Sequence, residues 1–466
     1  MVGLREALSN LKLVVGPTAR KLGWRRVDLS PSHWGLSRDD DGELRLSGAR
    51  LSDLSSTYGS PLFVVDGQKL DDNAAEFQQR PAGAQAGVEC FYSYKTNPVP
   101  AVLSRLHQRG VGAEVISEYE LWLARKLGVP GERIVMNGPG RTVAALTQGI
   151  ELGALIVINH REEIELVAKL ARDLGMRARV GLRVVPAGGW ANQFGELLGP
   201  AALGAYRDML GRQELDVVAL HAHLGGELDS VTRLREFVLG LLAFCNTLRD
   251  QLSFWPAILD VGGSLGCRTT TKLTARALRL NSALGLDIAL RDPASVLGIT
   301  EYVQTVVSLV EGHCAGVGLA RPRIFVEPGR AMTSNAQMLL CEVMGTKAGG
   351  TPGLTYAVLD AGINIAEPLR SEYHQIFALR AHQAGEQLYR IVGPICTLMD
   401  TLAWCRRLPA LTAGAKLAIM DAGAYFVPFS TSFSFPQPGV VLLDRSLHVL
   451  KRRAESFDDV VDRDFF

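Results

Sequence analysis

The sequence predicts an eight-stranded parallel (β/α)8 barrel, an α/β fold, joined to a second, mainly antiparallel β domain. Two observations predict the architecture. From Phe91 to Arg330, eight short apolar runs alternate with amphipathic helical stretches, the rhythm of a barrel of roughly 250 residues. After Arg330 the texture changes to short strand candidates separated by Gly- and Pro-rich turns. A third observation concerns chemistry. Reactive and anion-binding residue types crowd the C-terminal ends of the eight runs, where barrel active sites lie.

The runs are FYSYK at 91, VGAEVIS at 111, RIVMNG at 133, LIVIN at 155, ARVGLRVV at 178, LDVVALHAHLG at 215, AILDVGGSLG at 257 and RIFVEPGR at 323. Between them, EYELWLARKLG (118–128) and REEIELVAKLARDLG (161–175) carry apolar residues at i, i+3, i+4 and i+7, the helix period. Beyond the barrel, MLLCEVMGTK at 338, LTYAVLDAG at 354 and KLAIMDAG at 416 read as strands. TYGSPLFVVDG (57–67) reads as a turn, a buried strand and another turn, and is expected to pair with the β domain. The expected domains are an N-terminal extension (1–50), the barrel (70–334) and the β domain (51–69 plus 335–466). The charged tail from Lys451 is expected to fray.

Composition excludes several classes. Net charge is +1 with no basic block, which argues against nucleic acid or an anionic membrane surface as partner. No uninterrupted apolar run approaches the ~20 residues of a membrane span, and no signal peptide is read at the N-terminus. The seven cysteines are odd in number and show no CxxC pair, so neither a disulfide framework nor a zinc site is expected. A reducing, cytoplasmic setting follows.

The strand ends supply the candidate site. The first run ends in Lys95, the second gives Glu114 and Ser117, and the fifth gives Arg183. The sixth gives His221 and His223, the seventh Gly262-Gly263-Ser264, and the eighth Glu327-Pro328-Gly329-Arg330. Alone, Lys95 reads as a strand-end amine reaching solvent. At a barrel mouth it is also an amine able to hold a carbonyl cofactor as a Schiff base. Paired glycines let backbone N–H groups approach a ligand, and Arg330 after the last strand can grip a phosphate through two bonds. HxH lacks a carboxylate or third His at ligand spacing, so no metal is expected. His221 reads as a hydrogen-bonded core imidazole, and His223 as a ring able to stack on a flat cofactor.

Together these motifs resemble the fold-type III pyridoxal-phosphate decarboxylases, the group that includes diaminopimelate and ornithine decarboxylases, from about Tyr58 to Leu443. YSYKTN is similar to the family's Y-x-x-K-x-N, HAHLGG to H-x-H-x-G-S and DVGGSLG to D-x-G-G-G, while VEPGR carries its E-P-G-R; DAGIN, GPICTLMD and GAYF follow in the family's order. The resemblance implies an alanine racemase-like fold and a homodimer with shared active sites. It implies that Lys95 binds pyridoxal 5'-phosphate covalently, His223 stacks on the ring and Glu327 pairs with the ring nitrogen. Gly262, Gly263, Ser264, Gly329, Arg330 and Tyr425 would hold the phosphate, and Cys396 would reach the partner subunit's site, with Cys396 or the released Lys95 as the proton donor. Arg183, Arg370 and Thr397 are the candidates for substrate contact.

Three departures bear on the substrate. Family members acting on basic amino acids place an acid after the cysteine, and here Thr397 stands there, unable to balance a desolvated ammonium. The serine usual after H-x-H-x-G is Gly226, and the third glycine of GGG is Ser264. The arginine-proline expected for a substrate carboxylate reads Glu367-Pro368, with Arg370 close by in sequence. The Cys-Thr pair, GPGRT (138–142) and FSFPQPG (433–439) are similar to specialised-metabolism members, including decarboxylases of citryl-diaminopropionate-type siderophore intermediates. The expected activity is therefore α-decarboxylation of an amino acid or amino-acid conjugate, with a diaminopimelate or other basic amino acid as the alternative substrate. A racemase is disfavoured because racemases tend to meet the ring nitrogen with arginine rather than an acid. A non-catalytic homologue that binds the cofactor is the reading of another class.

Overall fold

The computed structural model describes residues 29–189, 193–284, 288, 290–349, 354–380 and 385–465. They fall in two compact units, one of Leu70–Cys267 with Val296–Thr333, the other of the chain up to Lys69, Arg268–Ser295 and Ser334–Phe466. Arg268–Ser295, which the strand rhythm leaves inside the barrel, groups with the β unit.

The first unit is a closed parallel barrel. Its strands are β1 (Glu89–Ser93), β2 (Gly112–Val115), β3 (Ile134–Met136), β4 (Leu155–Ile158), β5 (Ala178–Val185), β6 (Leu215–Ala222), β7 (Ile258–Asp260) and β8 (Arg323–Val326). Each pairs in parallel with the next, and β8 returns to β1 through Phe325 opposite Glu89 and Val326 opposite Cys90. Strands walled in on both faces need apolar residues throughout, which is why these runs lack clean alternation. Phe91, Val135, Leu155, Val157, Ala219, Ile258 and Phe325 form one buried cluster, with the Phe91 and Phe325 rings 4.4 Å apart. Truncating either ring to alanine removes a fully buried aromatic, a loss of about 3–5 kcal/mol.

Side-chain caps start several outer helices. Ser117, Thr142 and Ser230 accept the backbone N–H of Glu120, Ala145 and Arg233, which begins Glu118–Lys126, Val143–Leu152 and Val231–Leu252. Among the described residues one helical stretch, Pro293–Val317, is long and apolar enough by length and composition to cross a membrane. Its helix Ile299–Val317 buries Tyr302, Val303, Val306, Val307, Val310 and Cys314, and packs on Val231–Leu252 as an ordinary barrel helix.

The second unit is built on Gln337–Ala348, which pairs antiparallel with Leu354–Leu359, Lys416–Ile419 and Leu62–Asp66. Leu62–Asp66 is the strand expected from PLFVVDG, and it also pairs in parallel with Gly439–Asp444. The chain from Leu29, expected to be an extension up to residue 50, is part of this unit. Leu36–Arg38, Leu44–Leu46 and Ala49–Arg50 form a small antiparallel sheet. Trp34, Leu36, Leu44 and Leu46 share a core with Leu62, Met338 and Val441, and the Trp34 indole donates to Asp421 Oδ1 at 2.9 Å.

Candidate active site

Lys95 does not end strand β1. The strand stops at Ser93, and Lys95 sits in a 3-10 turn, Tyr94–Thr96. Its Nζ lies 2.7 Å from Glu114 Oε2, and the Ser93 hydroxyl donates to the same oxygen. Glu114 side-chain exposure is 1%, against 37% for Lys95, so the amine is reachable while its counter-ion is sealed. One turn on, Glu120 accepts the Ile116 N–H at 2.7 Å. Burial, then the Glu114 charge, push the Glu120 carboxyl up to about 7.

Glu327 follows β8 and is buried. Asn137 Nδ2, at the end of β3, donates to its Oε1 at 2.6 Å, and His221 Nε2 lies 3.3 Å from Oε2. Burial by itself raises a carboxyl's pKa. Here His221, which hydrogen-bonds it, and Lys95 overturn that effect and hold Glu327 below the usual range. The fold also supplies the carboxylates that spacing along the chain does not. Ligand atoms of His221, Asp260 and Glu327 lie within 4.8 Å of one another, all buried.

His223 stands beside the seventh strand's glycines. The Gly263 N–H donates to its Nδ1 at 3.2 Å, and Ser264 Oγ is 3.3 Å from its Nε2. With Nδ1 accepting, the ring proton belongs on Nε2, a tautomer inferred from these bonds. Burial, with Arg183 and Lys95 nearby, brings the His223 pKa down to about 3, so the ring is neutral. Gly262 has φ +64, and a Cβ there would meet Ala222 O at 2.6 Å. A Cβ on Gly263 would meet Glu327 O at 2.4 Å, so backbone alone fits between the seventh and eighth strand ends. Ser264 takes φ +76, a left-handed conformation that favours glycine. Its hydroxyl accepts the Gly225 N–H at 3.0 Å.

Arg183 is buried, with its guanidinium 4.5 Å from the Phe194 ring centroid. Burial lowers its pKa, opposed first by the charge of Glu327 and then by that of Glu114, and Asp260 is a further neighbour. Gly329 and Arg330 open the short helix Arg330–Thr333 after β8. The barrel unit thus gathers Lys95, Arg183, His223, Gly262, Gly263, Ser264, Glu327, Gly329 and Arg330. Tyr425, Cys396, Thr397 and Arg370 belong to the β unit. Tyr425 stacks on Phe429, with ring centroids 5.6 Å apart. Cys396 is a free, exposed thiol, and Thr397 Oγ1 accepts the Met399 N–H at 3.3 Å. Arg370 ends a 3-10 turn, 4.0 Å from Glu367 Oε1.

The sequence reading passes over Asn137 and Asp260. Both sit at strand ends, the position that finds the others; the polar ending of RIVMNG is the signal for the first.

Residues 72–334 match the family model of the pyridoxal-dependent decarboxylase, pyridoxal binding domain. The chain belongs to the pyridoxal-dependent decarboxylases. Relatives of this decarboxylase include the diaminopimelate decarboxylase of Aquifex aeolicus (strain VF5), 28% identical over 437 residues, covering 91% of this chain and 96% of that protein. The diaminopimelate decarboxylase of Bacillus subtilis (strain 168) is 27% identical over 453 residues, 92% and 97% of the two chains. A crystal structure from Aquifex aeolicus superposes with a TM-score of 0.79 at 26% identity, covering 93% of this chain and 98% of that one. Diaminopimelate decarboxylase from M. jannaschii, in co-complex with L-lysine, shares the fold with a TM-score of 0.83 at 22% identity, covering 92% and 98%. The decarboxylase is of fold type III, an α/β barrel with a mainly antiparallel β domain, and its cofactor is pyridoxal phosphate. The donor set fits that group. A reachable amine suits its aldehyde, a buried carboxylate held below the usual pKa range suits its ring nitrogen, and a neutral imidazole suits its ring face.

Proposed function

We propose that this pyridoxal phosphate-dependent carboxy-lyase removes the α-carboxylate of an amino-acid substrate using Lys95, His223 and Glu327. One observation carries the reading: an amine and an anionic carboxylate are each fixed by dedicated partners on the C-terminal ends of one barrel's strands. The bound cofactor supplies an electron-accepting ring that takes up the charge left when carboxylate departs as CO2.

Lys95, oriented by Glu114, would hold the cofactor's aldehyde through Nζ. Glu327, kept in place by Asn137 and His221, would keep the ring nitrogen protonated by charge pairing. His223 would offer the ring an uncharged face and keep water from it. Gly262, Gly263, Ser264, Gly329, Arg330 and Tyr425 would bind the phosphate. Cys396 of the partner subunit delivers a proton to the α-carbon after CO2 leaves, an aid typically worth about 10²–10⁴ in rate. The exposure of Leu398, 97%, and Met399, 60%, beside Cys396 supports a second copy covering this turn in a homodimer. The seven free cysteines support a cytoplasmic setting.

For the substrate, the relatives' names support diaminopimelate. A second reading is favoured by Thr397, an uncharged residue where basic substrates need an acid. It is a conjugate lacking a distal ammonium, such as a citryl-diaminopropionate-type intermediate of siderophore or other specialised metabolism. Arg183 and Arg370 are proposed as carboxylate contacts in either case. The test is CO2 release by the purified, cofactor-loaded enzyme from diaminopimelate, ornithine, lysine and citryl conjugates, together with borohydride reduction and peptide mapping. Cofactor fixed on Lys95 and CO2 from one class supports the reading. Cofactor on another lysine ends it.

A further inference from the structure

We propose that Asp260 is a positioning residue that carries a proton as a neutral carboxylic acid beside Glu327, leaving Glu327 as the anion of the pair.

Three carboxyls, Glu114, Asp260 and Glu327, are buried in one cluster at the barrel's C-terminal end. In the cofactor-free protein two basic side chains face them, Lys95 and Arg183. Glu114 Oε2 takes both the Lys95 ammonium and the Ser93 hydroxyl, although its Oε1 has no hydrogen-bond partner. Glu327 takes the Asn137 amide on one oxygen and His221 Nε2 on the other. Among the described residues Asp260 receives one donor, the Gly262 N–H, at 2.9 Å to Oδ1, and its buried Oδ2 has no hydrogen-bond partner. An anionic oxygen so placed bears the full cost of desolvation, while a proton on it provides a donor toward Glu327.

Among the described residues, no other titratable neighbour is seen to donate to Asp260. His221 Nδ1 has no acceptor, so that ring offers the cluster only its Nε2. His223 is neutral and spends both nitrogens on Gly263 and Ser264. The Tyr302 phenol is buried and stays protonated. Burial, then the charge of Glu327, raise the Asp260 pKa well above the carboxylate range, in accord with the hydrogen-bond count.

Toward catalysis the consequence rests on the proposed function: a neutral Asp260 keeps a second negative charge away from Glu327, so the ring nitrogen meets one anion. The proton itself does not depend on that reading and is tested on cofactor-free protein. In apoprotein carrying 13C-labelled aspartate, difference infrared spectra at about pH 8 should show one un-ionised aspartate carboxyl that D260N removes. D260N, an isosteric neutral donor, should keep kcat/KM within about fivefold of wild type, whereas D260A should lose about tenfold or more. Absence of the un-ionised band, a D260N defect equal to that of D260A, or stoichiometric divalent metal in the purified protein would each overturn the proposal. If D260A does not fold, the infrared band and D260N still decide. A protein that shows the band yet decarboxylates nothing refutes the function and leaves the protonation standing.

Discussion

Glu120→Gln isolates the electrostatic cost of building the Lys95 site. In the native chain the carboxyl is 6% exposed, accepts the Ile116 N–H at 2.7 Å and lies near the Glu114 charge. Glutamine keeps the acceptor oxygen and removes the ionisation. The carboxyl's pKa is about 7 in the fold against an ordinary 4.5. An acid raised in the folded state contributes its stability below the unfolded pKa and loses it as pH climbs through the folded pKa. Wild type therefore gives up about 3 kcal/mol between these limits that the glutamine variant retains. Urea unfolding of both proteins, followed by tryptophan fluorescence, reads this directly, because Trp122 lies on the same helix. The two midpoints should nearly coincide near about pH 4.5, with the variant clearly higher at about pH 8. An equal offset at both pH values would mean that the substitution acts through packing, and the electrostatic account would be wrong.

Other perturbations reach the site from different sides. Gly263→Ala drives the new Cβ into the Glu327 carbonyl oxygen and should destabilise the apoprotein by about 1–3 kcal/mol, read as a lower Tm, with weaker cofactor binding. Glu327→Gln leaves an amide where an anion is required. We expect kcat to fall about 10²–10³-fold with unchanged circular dichroism, and near-normal turnover would dismiss the role given to Glu327. Thr397→Glu should raise the ratio of diaminopimelate to conjugate turnover; an unchanged ratio would place side-chain recognition elsewhere. Ser264→Gly relieves about 1–3 kcal/mol of backbone strain but releases His223, so Tm should hold or rise while cofactor affinity drops.

Much of the barrel was legible because each strand is a short apolar run that ends in a polar or glycine residue, and barrel chemistry lies at that end. Glu327 and the Gly262-Gly263 pair stand out on that rule, while Lys95, placed by it at a strand end, lies in the turn just past Ser93. What eluded the sequence was partnership across strands. Asp260 is visible as a residue type, but its meaning comes from Glu327, one strand over, and no local pattern announces that contact. Asn137 looks like the start of a turn until its amide is seen on Glu327. The piece LSRDDDGELRLSGAR (36–50) falls within the expected N-terminal extension, yet it forms part of the β unit. Its strands are too short for a periodic signal, and Asp39, bonded to both Arg45 and Arg50, helps hold them. Arg268–Ser295 gives no cue to leave the barrel, because its two-residue strand Thr271–Lys272 pairs with Glu372–Tyr373, far along the chain.

The left-handed serine at 264 has a lasting effect on how this protein meets its cofactor. A glycine at that turn would supply room and nothing else. The hydroxyl instead bolts the His223 ring and the Gly225 amide to one oxygen before any ligand arrives. On the role proposed for His223, cofactor binding would then be docking against a wall already set, and the imidazole should keep one tilt in the cofactor-free and the loaded protein.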